Sequence, residues 1–120
     1  MGFFHRGYEV TLNRVHDRVV IREGEEKLTL TVNGDAMRMV AGLNKAQAKM
    51  REITEDSPDE AVRDAGEYFA AVIFGKEQAE KLMAFYADDP GSVISVCGKY
   101  FRERLADKIT AVQKKMKPDA

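Results

Sequence analysis

One cysteine, three prolines, two histidines and no tryptophan among 120 residues leave little material for several kinds of chemistry. The lone thiol, Cys97, excludes an intramolecular disulfide framework and a cysteine-rich zinc site, and it fits a reducing compartment. His5 and His16 have no cysteine or carboxylate constellation between them, so a tetrahedral metal site is not expected. No apolar run approaches the roughly 20 residues needed to span a bilayer. The segment from Met1 to Arg6 lacks the basic start, apolar stretch and small-residue cleavage site of a secretory signal. An excess of charge of one sign is missing as well: 19 basic residues face 20 acidic ones, for a net charge of −1. A summed field of that size predicts neither a nucleic-acid nor a membrane partner.

What the chain does have is a change of period. In its first third, Val19, Val20 and Ile21 form a β-branched run, while Leu28, Leu30 and Val32 alternate with polar neighbours. Glu23, Gly24, Glu25 and Glu26 lie between them, so Arg18 to Arg22 and Lys27 to Val32 are expected to pair as an antiparallel hairpin. Tyr8 to Leu12 alternates too and is a candidate third strand. A lone hairpin is marginal in water and must pack on helices or on another chain.

From Asp35 onward the apolar residues recur at three and four. Asp35 is a good N-cap for a helix over 36–54, carrying Met39, Leu43, Ala46 and Met50. Ser57, Pro58 and Glu60 have the spacing of a capping box with proline in the first turn, and Gly75 ends the helix they start. A short helix over 76–87 follows. Pro90 then opens a last helix, to about Met116, on the stripe Val93, Cys97, Phe101, Leu105, Ile109, Val112 and Met116. Its first half is apolar almost all round, and burial is expected to fade toward the lysine-rich end. The fold class is α+β and mostly α: an N-terminal hairpin, with room for a third strand, and about four helices. Residues 1–17 form an arm or strand, 18–116 one domain and 117–120 a tail.

No motif for catalysis emerges, and neither a cofactor nor a metal is expected. Cys97 lies among apolar neighbours and suits a buried structural thiol better than a nucleophile. The acidic pairs Glu55 with Asp56, Asp59 with Glu60, and Asp88 with Asp89 lack calcium-loop spacing and suit helix ends. Gly66 and Gly98 belong to no glycine-rich phosphate loop; inside helical patterns they suggest close approach by a neighbour. Basic residues near the C-terminus are interleaved with Glu103 and Asp107. Phe74, Phe85 and Tyr86 cannot all face inward around so short a helix, so at least one is expected at an interface, while the methionines, Met83 among them, suit core filling by default and an adaptable partner surface as the alternative.

The stretch IFGKEQAEKLMAFYADDPGSVISVCGKYF, residues 73–101, resembles the tail assembly chaperones of long-tailed bacteriophages and prophages. In that family a phrase like Phe74-Gly75-Lys76-Glu77-Gln78 introduces a short helix, and a break like Asp88-Asp89-Pro90 precedes an apolar final one. The resemblance spans about residues 28–116. It implies a non-enzymatic protein of the bacterial cytoplasm, without a small-molecule substrate, that binds the helical tape-measure protein and associates with itself. Phe3, Phe4, Phe74, Met83, Phe85 and Tyr86 are the candidate partner-binding residues; the extension through about Arg18 does not match the family and is read as either an exchange arm between subunits, with Phe3 and Phe4 as anchors, or a disordered end. The family also implies a longer frameshifted form, which adenine-rich codons for Gln113, Lys114 and Lys115 would permit. The competing readings are another phage or mobile-element interaction domain and, more distantly, a small enzyme or a nucleic-acid binder.

Overall fold

The computed structural model describes residues 14–116, with side chains through residue 114. Strands β1 (Arg14–Glu23) and β2 (Glu26–Asp35) pair antiparallel, in register from Glu23 with Glu26 at the turn to Arg14 with Asp35 at the open end. Gly24 takes the first turn position at φ 64°, where a side chain would be strained and glycine is favoured. The hairpin is longer than the sequence pattern suggested. Its first strand starts at Arg14, inside the segment read as an arm or strand, because the alternation continues through buried Val15. The candidate strand Tyr8 to Leu12 lies outside the described residues.

Four helical rods follow the hairpin: α1 (Ala36–Arg51), α2 (Asp59–Phe74), α3 (Lys76–Phe85) and a last one in three pieces. The last comprises α4 (Pro90–Tyr100), a π-helical turn (Phe101–Leu105) and α5 (Ala106–Met116). Asp35 caps α1 as expected, its Oδ1 accepting the Met37 N–H at 3.0 Å. The helix ends at Arg51, short of the expected 54, and half-buried Ile53 sits in the connecting turn. The capping box does not form. Ser57 Oγ instead accepts the Thr54 N–H at 2.8 Å within that turn, and extended Pro58 stands at the N-cap with no side-chain hydrogen bond. Gly75, at φ 90°, breaks the chain between α2 and α3 without a linker, a conformation an L side chain rarely adopts.

α2 occupies the centre, packing on α1, α3, α4 and β2. A Cβ on Gly66 would meet Val93 Cγ1 at 3.3 Å, so the glycine lets α2 and α4 approach closely, as its place inside a helix suggested. Gly98 differs: the group nearest its missing side chain is Arg102 of the same rod. The core joins Val15, Ile21, Leu30 and Val32 from the hairpin to Leu43, Phe69, Ile73, Leu82, Val93, Cys97, Leu105 and Val112 from the helices.

The π-helical turn corrects two expectations for the last rod. Buried positions run 93, 97, 100, 105, 109, 112, so the step across the turn is five residues, the signature of one extra residue in the helix. Tyr100 therefore takes the buried place that the stripe assigned to Phe101, and Phe101 is only half-buried. Burial also does not fade by Val112, because α5 packs along α1.

Candidate interaction surface

Two polar side chains fasten the hairpin to the helices. From α3, Gln78 Oε1 accepts the Thr31 N–H at 2.8 Å while its Nε2 donates to the Thr31 carbonyl at 2.6 Å and to the Phe74 carbonyl at 2.8 Å. The amide thus behaves as one residue of a third strand at the outer edge of β2. From β1, Asp17 points inward on the apolar face, where Tyr100 Oη donates to Oδ2 at 3.1 Å. Arg104 grips both carboxylate oxygens, Nε to Oδ2 at 2.9 Å and Nη2 to Oδ1 at 3.2 Å. The Arg104 hydrogen bond holds the Asp17 carboxyl below its ordinary value, and burial with the nearby carboxylate pushes the Tyr100 hydroxyl up.

The phrase of residues 74–78 now has a local account. Phe74 is buried against Tyr100 with ring centroids 5.9 Å apart, Gly75 makes the break, and Gln78 closes the β2 edge. Lys76 and Glu77 are exposed. Of the expected partner-binding residues, Phe74 and Tyr86 are buried inside this chain, Tyr86 with its ring edge-on to Phe85 at 5.0 Å. Met83 and Phe85 are half-buried and reach the surface. Phe3 and Phe4 lie outside the described residues.

Titratable groups do meet in an open cleft of about 300 Å3 between β1 and the last rod, lined by Val15, His16, Asp17, Glu103, Arg104 and Lys108. Burial pushes the Cys97 thiol up to about 12, so it stays protonated and unreactive at neutral pH. His16 is exposed on β1. Among the described residues no cluster of three or more histidine, cysteine or acidic side chains is placed to hold a metal ion. Nor is any helix among them long and apolar enough to cross a membrane.

An open groove of about 520 Å3 lies between the open end of the hairpin, α1 and the end of α2, with Arg14, Asn33, Arg38 and Val72 among its lining, and more apolar concave surface lies on both sides of α4. One open groove of about 470 Å3 runs between α1 and the last rod, with Leu43, Met50, Phe69, Ile94 and Phe101 on its walls and Gln47, Ser95 and Arg102 at its polar lining. A second, of about 360 Å3, separates α4 from the hairpin and is lined by Val19, Ile21, Tyr86, Val96 and Tyr100. Ile94, Val96 and Phe101 were not singled out by the sequence as surface residues. Their signal was the all-round apolarity of α4: its buried stripe uses Val93 and Cys97, which leaves Ile94 and Val96 to face the grooves. The chain matches no family model, no curated protein and no solved structure.

Proposed function

We propose that the chain is a tail assembly chaperone of a long-tailed bacteriophage or prophage, a non-enzymatic protein that binds the tape-measure protein in the bacterial cytoplasm and associates with itself. The observation that best supports this reading is the groove between α1 and the last rod, with half-buried Met50, Ile94 and Phe101 on its walls. An unassembled tape measure exposes apolar helical seams, and helices dock by laying such a seam into a hydrophobic groove. A methionine and an aromatic ring suit that task, because thioethers and rings adapt to side chains of varied shape. Phe85 and Met83 on α3 offer further apolar contact for partner or second copy. The reading expects a very long helical open reading frame just downstream of this gene, and the test is co-expression with its product, followed by affinity capture. The wild type should retain that protein, and Ile94→Glu, which puts a charge on the groove wall, should release it while its far-UV spectrum stays unchanged. A wild-type chain that fails to retain it rejects the assignment.

A further inference from the structure

The summed charge of −1 conceals an uneven distribution on the hairpin. Its inner face carries Val15, Ile21, Leu30 and Val32 into the core. Its outer face presents Arg14, Arg18, Arg22 and Lys27, all exposed, and Arg22 is directly opposite Lys27. The one acid in register with this face, Asp35, is occupied in capping α1. Glu23 and Glu26 pair on the opposite face. Among the described residues no carboxylate comes within ion-pair distance of Arg18, Arg22 or Lys27. Between the basic groups stand His16, Thr29, Thr31 and Asn33, and Val20 is the single large apolar side chain there, 41% exposed.

The geometry points to this face as a binding surface for double-stranded nucleic acid, held through its phosphates. The inference does not rest on the tail-assembly reading. Three physical arguments select the ligand. An exposed ion pair with another protein contributes about 1 kcal/mol or less, and this face has no aromatic anchor and almost no apolar area to add. A basic surface of this kind gains useful affinity only from a polyelectrolyte, where each neutralised phosphate releases condensed counterions. Shape agrees: the hairpin is a ribbon of two strands with no third beside it among the described residues, the width that a major groove of about 12 Å admits. Arg14, Arg18 and Arg22 recur every four residues, which spaces them roughly 13 Å apart along one line. Among the described residues the face carries the His16 imidazole but no phenylalanine, tyrosine or tryptophan, which disfavours single strands, whose tight binding needs extended base stacking.

Fluorescence anisotropy of the full chain with a labelled duplex of about 20 base pairs tests the inference. Binding should saturate at low salt and weaken with a log–log slope of roughly −3 to −4, for about four phosphate contacts. Arg18→Glu with Arg22→Glu should weaken it on the order of a hundredfold at low salt, while Lys45→Glu with Lys114→Glu, the same charge change on α1 and α5, should leave it within about threefold. If the glutamate pair disturbs folding, Arg18→Gln with Arg22→Gln should still cost on the order of tenfold with an unchanged melting temperature. No anisotropy change at low salt, equal losses in both charge-reversal pairs, or equal displacement by polyglutamate of matched charge would overturn the assignment.

Discussion

The rung of the hairpin where Arg18 faces Thr31 has two edges, and the molecule closes them by different means. At the β2 edge a neutral amide from α3 takes both the N–H and the carbonyl of Thr31. At the β1 edge Asp17 Oδ1 accepts the Arg18 N–H at 2.9 Å, while the same carboxylate is gripped by Arg104 and Tyr100 from the last rod. Each device occupies backbone groups that would otherwise offer a template for another strand. Yet one is indifferent to pH and salt, and the other is an ion pair with Arg104 side chain 63% exposed. The comparison separates geometry from charge: both side chains position the hairpin, and only one makes that position depend on solution conditions.

The apolar layer beneath both devices should outweigh either. Leu30, adjacent to Thr31 and fully buried, lies between the two edges. Leu30→Ala is expected to cost about 2 to 5 kcal/mol in chemical denaturation. A loss smaller than that from Gln78→Ala would mean that the polar contacts, not the core, hold the hairpin. Phe101→Ala sharpens the same point from the other side. Its half-exposure predicts a loss below the roughly 3 to 5 kcal/mol of a fully buried aromatic, while melting data on Phe69→Ala should show the full value.

The difference between those two phenylalanines also shows what the sequence could and could not reveal. The hairpin, the Asp35 cap, the Gly75 break and the Pro90 start were legible because each depends on one residue's own backbone or side-chain preference. The exchange of Tyr100 for Phe101 was not, because it depends on one extra residue in a helical turn, which packing against α1 and the hairpin decides. A trace was present: the stripe from Val93 to Ile109 steps by four throughout, too long for a straight helix of 3.6 residues per turn. Ser57 failed as a cap for a similar reason, since its hydroxyl had a competing local partner in Thr54. Asp17 was readable in principle as the acid that stands between Val15, Val19 and Ile21 on one strand face. Gln78 was not, because nothing local says that its amide will meet a residue 47 positions earlier.

Replacing that amide separates shape from hydrogen-bond polarity. Gln78→Ala should cost about 1 to 2 kcal/mol, the loss of four hydrogen bonds partly replaced by water. Gln78→Glu keeps the shape but turns a carboxylate oxygen toward the carbonyls of Thr31 and Phe74, which accept and cannot donate. At neutral pH it should be as unstable as the alanine variant. Those carbonyls favour the protonated acid and raise its pKa in the folded state, so lowering the pH should restore stability as the acid regains a proton to donate. Thermal melts across the acidic range would show this recovery, and a variant that loses stability on acidification would contradict the assigned role of the amide nitrogen.

The ionic edge should respond in the opposite sense and by the least. Asp17→Asn retains a group that Tyr100 can donate to, but it loses the charge that Arg104 pairs with, so a cost of about 1 kcal/mol or less is expected at neutral pH and low salt. The folded-state pKa of Asp17 lies below its ordinary value of 3.8, chiefly through the Arg104 hydrogen bond. The stabilisation is therefore fully present above that ordinary value and is lost as pH falls through the lower, folded one. The melting temperatures of wild type and Asp17→Asn should converge as acid is added, and they should also converge in high salt, which screens an exposed pair. A gap that persists in both conditions would show that Asp17 holds the edge through hydrogen-bond geometry alone, as Gln78 does, and the distinction between the two edges would then disappear.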